Sequence, residues 1–209
     1  MKTILRTLTH PFDIKGLEIR MFDPKEGGRL VWYGQELGML FSNNMSPSLA
    51  DYTSLPWTDV RLTFRPSEDT LLRSVWGPLK DRRRLFTLSK EEKDLLYVRA
   101  IETYRQAMSD EMTELFMRIC NRVFKNEVVI RQANPHYIFK EAFTGVALTL
   151  KGFGLFNGET LTCLVGYSHK RDVFYCRYSR PGQPYVSFDR NEPIRDVILE
   201  MALHLEKTC

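Results

Sequence analysis

SKEEKDLLYVRAIETYRQAMSDEMTELFMRICNRVF, residues 89–124, is the stretch whose reading decides the fold. Ser89 stands three residues ahead of Glu92, the spacing at which each side chain satisfies the other residue's free backbone N–H at a helix start. No Gly or Pro follows before Phe124. Val98, Ile101, Tyr104, Met108, Met112, Leu115, Ile119 and Val123 recur at steps of three or four, which puts one apolar face opposite a charged back. The pattern predicts a central amphipathic helix of roughly 50 Å, unless a bend near Ser109 and Asp110 divides it. Burial in a core outweighs use of this face as a dimer seam, although so long a helix would leave one end free to meet another chain.

Downstream, the period changes from 3.6 to 2. Val128–Arg131 reads as a short strand ended by an Asn134–Pro135 turn, and Val146, Leu148 and Leu150 alternate with small or polar residues. Leu161, Cys163, Val165 and Tyr167 share a face, as do Phe174, Cys176 and Tyr178, and a polar tip at 168–172 separates the two runs. These predict a three-stranded antiparallel meander with one apolar side. Pro193 opens a last helix whose Ile194, Val197, Ile198, Met201 and Leu205 can cover that side.

Upstream, Leu17, Ile19 and Met21 alternate, a turn occupies 23–28, and Leu30–Tyr33 supplies a return strand. Gln35–Phe41 is expected as a short helix and 42–56 as a loop. A further strand is expected at Asp59–Phe64 and a helix from Ser67 to Trp76. The fold class is therefore α+β, an antiparallel meander packed against a long central helix and a C-terminal helix. It is expected either as one compact domain over 1–209 or as sub-lobes 1–88 and 125–209 joined by helix 89–124.

At 209 residues, with 43% apolar and 27% charged side chains, the chain can bury a core without disulfide or metal staples. A net charge of +4 leaves room for an anionic partner without requiring one. Cys120, Cys163, Cys176 and Cys209 form no C-x-x-C pair and have no histidine at ligand spacing, so buried free thiols are expected, with a Cys163–Cys176 disulfide the minor alternative. Polar residues interrupt the first eleven positions and no run of 18 apolar residues exists. No signal peptide or membrane span is expected, and residence in the cytoplasm or nucleus follows.

Catalytic patterns are absent. His10, His136, His169 and His204 stand near no defined nucleophile, and G-x-S-x-G, H-E-x-x-H and a phosphate-binding glycine loop are all missing. The glycines at 152 and 154 read as a bend between strands. No cofactor or metal is expected. Binding chemistry has more to stand on. Lys80 to Arg84 carries four cations in five residues, among them Arg82, Arg83 and Arg84. Between Phe174 and Tyr185, tyrosines and arginines interleave, so that Tyr175 and Arg177 are expected on the face opposite Cys176. With Tyr178, Arg180, Lys170 and Arg171 they would form an aromatic–basic contact surface. The competing expectation is an ordinary strand, with Tyr175 covered and Arg177 lying along the surface.

Residues 12–20, FDIKGLEIR, and 143–150, FTGVALTL, resemble strands of small matrix proteins from enveloped negative-strand RNA viruses. The resemblance covers about forty residues, and the basic disordered tail and proline-rich motif common in that group are missing. It implies a self-assembling structural protein at an anionic membrane or nucleocapsid. The residues themselves favour a non-enzymatic binding or regulatory protein, encoded by a virus, phage or plasmid, that engages a protein or nucleic-acid partner. A hydrolase or nuclease with dispersed catalytic residues is the third expectation. A homo-oligomer is compatible with the first two.

Overall fold

The computed structural model describes residues 4–9, 14–40, 88–125, 128–138, 143–152 and 158–208. The strand and helix expected at 59–76, the basic run 80–84 and Cys209 lie outside them. The chain forms two compact units, Met1–Tyr104 and Arg105–Cys209, so the boundary falls inside the long helix rather than at one of its ends.

The first unit holds a four-stranded antiparallel sheet in sequential order: β1 (Arg6–Leu8), β2 (Leu17–Met21), β3 (Gly28–Trp32) and β4 (Gln35–Leu40). The alternation in β2 sets its two faces. Leu17, Ile19 and Met21 are buried, while Glu18 accepts a 2.6 Å hydrogen bond from Arg20 Nε on the other side. The Asp23 carbonyl closes the expected turn by accepting from the Glu26 and Gly27 amides. Gln35–Leu40 depart from the helix expected over 35–41. Tyr33 and Gly34 both take positive φ, 46° and 83°, directly between the paired Trp32 and Gln35. That is the two-residue turn whose twist suits a hairpin, so the chain returns as a strand instead of coiling.

Helix α1 (Lys90–Val123) runs for 34 residues as one element. Its start is built as expected: the Glu92 carboxylate accepts from the Ser89 amide at 2.7 Å, and the Ser89 hydroxyl accepts from the Glu92 amide at 3.2 Å. The buried stripe is Tyr97, Ile101, Tyr104, Met108, Met112, Phe116, Ile119 and Cys120. It therefore sits one residue round from the expected one at Val98, Leu115 and Val123, which are half-buried.

The second unit holds a five-stranded antiparallel sheet, again in sequential order: β5 (Val128–Ile138), β6 (Phe143–Gly152), β7 (Thr160–Ser168), β8 (Val173–Ser179) and β9 (Val186–Ser187). The turn expected at Asn134–Pro135 does not form. β5 runs through it, pairing Asn134 with Ala147 and Pro135 with Val146, and takes up an extra residue in a bulge between Ile130 and Gln132. Helix α2 (Ile194–Thr208) then buries Val197, Ile198, Met201, Ala202 and Leu205. Each of the larger side chains contributes about 1.5–3 kcal/mol.

Register assigns the faces. Val146, Leu148, Val165, Cys163, Cys176 and Tyr178 share one side through the pairs Val146–Val165, Leu148–Cys163, Val165–Cys176 and Cys163–Tyr178. The helices cover this side: Cys176 Sγ donates to Met201 Sδ at 3.4 Å, and the Cys120 thiol is close enough to influence those of Cys163 and Cys176. All three cysteines are free and buried, so the disulfide alternative does not hold. Burial pushes the Cys120 thiol up to about 12 and those of Cys163 and Cys176 well above their ordinary value.

Candidate functional site

The opposite side of the second sheet carries the interleaved tyrosines and arginines. Tyr175 stands directly across from Gly166, which in turn faces Gly145 on the next strand. Two adjacent residues without side chains leave a flat patch of backbone, and Phe143 lies across it. A Cβ on either glycine would fall within 2.8 Å of the Phe143 ring. Tyr175 packs beside Phe143, their ring centroids 5.2 Å apart. The Arg177 guanidinium then covers Tyr175 at 3.9 Å from its centroid, and Arg171 approaches at 5.3 Å while donating to the Tyr175 hydroxyl at 3.1 Å. Tyr175 is left 2% exposed.

The aromatic–basic contact surface is thereby corrected. Tyr175 is a core residue because its ring packs beside Phe143, which occupies the space over Gly145 and Gly166, and the arginines seal it. Arg177 is also spoken for: Asp189 accepts from its Nε at 3.0 Å and forms an ion pair with its terminal nitrogen. This hydrogen bonding raises Arg177 further above its already high value, so it is a cation at every working pH. Tyr178 is buried on the helix-covered side, sharing a 3.3 Å hydrogen bond with His204 Nδ1 and stacking on Phe188. Arg180 lines a groove of about 540 Å³ with Glu159, Pro181, Pro184, Val186 and Thr208, and donates to the Thr208 carbonyl at 3.3 Å. Lys170 and Arg171 are exposed at the β7–β8 tip. The six described anchors do not form one surface, and Arg82, Arg83 and Arg84 fall outside the described residues.

A different basic cluster does converge. Arg118 and Arg122, one turn apart near the end of α1, meet Arg195 from the first turn of α2 around a groove of about 140 Å³ floored by Leu115 and Ile119. All three arginines are exposed, and none makes a hydrogen bond or ion pair with another described residue. Leu199 and Leu203, one and two turns beyond Arg195, are 39% and 41% exposed and extend an apolar strip along α2. Sequence reading missed this cluster because its members lie about 75 positions apart. The signal was the pair Arg118 and Arg122 following Asp110 and Glu114 on one helix, a segregation of charge that periodicity alone does not weigh.

No family model, no curated protein and no solved structure matches this chain. Among the described residues, no group of three His, Cys, Asp or Glu side chains could hold a metal ion, and no helix is long and apolar enough to cross a membrane. Neither groove has a histidine on its wall.

Proposed function

We propose that this chain is a non-enzymatic binding protein that engages an acidic segment of a protein partner at the groove between α1 and α2. The convergence of Arg118, Arg122 and Arg195, exposed over Leu115 and Ile119 and without a partner among the described residues, carries this reading. Three like charges around one groove repel each other, and an acidic occupant replaces that repulsion with attraction while speeding encounter. The leucine and isoleucine floor suits the aliphatic stems of such a segment. A nucleic-acid partner, the other expectation from sequence, would call for rings on which bases stack, and the five lining residues include none.

Fluorescence anisotropy with a labelled deca-glutamate peptide tests the reading. Arg118→Ala, Arg122→Ala and Arg195→Ala should each weaken binding by about twofold to tenfold, and added salt should weaken it further. Absence of binding at low salt, or affinities that ignore all three substitutions, would overturn the proposal. Preference for a single-stranded oligonucleotide over the peptide would replace the protein partner with nucleic acid.

A further inference from the structure

Resting on that reading, we propose that the acidic segment is the same stretch of α1 in a second copy, so that the chain self-associates through an antiparallel helix pair. Asp110, Glu114, Arg118 and Arg122 follow one another at intervals of four and are all exposed, so they form one ridge on the outer surface of α1. Two acids are followed by two bases. Turned end for end about a two-fold axis between Glu114 and Arg118, the ridge is its own complement. Asp110 of one copy meets Arg122 of the other and Glu114 meets Arg118, and symmetry doubles the two pairs to four.

Helix packing provides the geometry. Rows of residues four apart are the ridges that interdigitate when two helices cross at about −50°, the commonest arrangement in globular proteins. This ridge spans about 18 Å, enough for such a crossing. It runs beside the groove floored by Leu115 and Ile119, where a second ridge would seat. Arg195 waits on the far wall as a third cation for the two arriving carboxylates. The charges are available for this purpose. Glu114, Arg118, Arg122 and Arg195 have no described partner, and Asp110 accepts only a 2.9 Å hydrogen bond from Gln106 at one of its oxygens. A parallel pair would instead set acid against acid and base against base. The pattern thus selects the antiparallel dimer and disfavours its alternative.

Analytical ultracentrifugation of the full chain, with two charge-reversal variants, tests the proposal. The unaltered protein should form a dimer that weakens at least ~tenfold between about 0.05 M and 0.5 M salt. D110R/E114R, whose ridge is all basic, and R118E/R122E, whose ridge is all acidic, should each be monomeric, while their equimolar mixture forms a 1:1 heterodimer. All four positions are exposed, so both variants should keep the far-ultraviolet circular dichroism of the parent. The salt series on the unaltered chain does not depend on them. A parent that stays monomeric at low salt and high concentration, variants that self-associate like the parent, or a mixture that fails to pair would each overturn the proposal. If the monomeric parent still binds deca-glutamate in an Arg118-dependent way, the groove keeps its function with a different occupant. Loss of both responses removes the groove as well.

Discussion

Tyr175→Ala is the substitution on which the two accounts of the second sheet differ most. A tyrosine displayed for a partner can be cut back with little effect on folding, since exposed substitutions usually stay within about 0.5 kcal/mol of neutral. In the structure the ring is 2% exposed and is held between Phe143 at 5.2 Å and the Arg177 guanidinium at 3.9 Å. Removing a buried aromatic ring costs about 3–5 kcal/mol. The upper half of that range applies here. The residue directly opposite is Gly166, which has no side chain to collapse into the hole. Arg177 keeps Asp189, so no stranded charge adds to the loss. For a chain of this size each kcal/mol shifts Tm by about 2–4 °C, so a loss of about 4 kcal/mol gives about 8–16 °C. Tyr175→Phe removes only the hydroxyl that Arg171 bonds, and should cost about 0.5–1.5 kcal/mol. Urea unfolding followed by fluorescence and circular dichroism measures both, provided the slope with denaturant is unchanged. A Tyr175→Ala midpoint indistinguishable from the parent would refute the packing described above and restore the ring to the surface.

Further outcomes follow from other parts of the structure. Gly166→Ala should destabilise by about 1–3 kcal/mol in the same assay, because the new methyl group would lie 2.7 Å from both the Gly145 Cα and the Phe143 ring. Gly182→Ala, where the backbone strain of φ 72° applies but nothing lies within 4 Å, separates strain from collision. In a Cys209→Ser background, the three buried thiols should resist a disulfide-exchange reagent at pH 8 while the chain is folded and react fully in denaturant. Burial lowers His136 and His169, against a smaller opposing effect of Asp172 on His169, so the unfolded chain binds protons more readily than the folded one. Stability is therefore whole above the ordinary histidine value of about 6.5 and falls as pH drops below it. The urea midpoint should decline from pH 7.5 to 5.5, and less so in His136→Gln/His169→Gln.

Elements whose instructions are local were legible in the sequence. The Ser89–Glu92 exchange, the unbroken run behind it and the Pro193 start of α2 each specify structure within one or two turns. The failures share a different cause. Gln35–Leu40 is a strand because of what precedes it: Tyr33 adopts a backbone conformation that favours Gly or Asn, and its ring gives no hint of that. Asn134–Pro135 reads as a turn in isolation, but pairing with Val146 and Ala147 overrides it. Tyr175 alternates correctly with Cys176, yet alternation says only which face a residue takes. Whether that face is wet depends on Gly145 and Gly166, which are distant in sequence and adjacent in the sheet. Mid-strand glycines facing aromatics on neighbouring strands were the available clue. The arginine groove was hidden for the same reason, since the whole second sheet lies in the sequence between Arg122 and Arg195.

Among the described residues the eleven-residue strand β5 closes one end of its sheet, and from Arg131 to Pro135 its side chains are exposed. A long straight terminal strand is an invitation for other molecules to stack on through their amides, the route to fibrils. The kink between Ile130 and Gln132, together with an imide nitrogen at Pro135 that cannot donate, spoils the template without shortening the strand. Replacing Pro135 by Val and deleting the surplus residue would leave the monomer's own pairing in place and make the protein prone to precipitate.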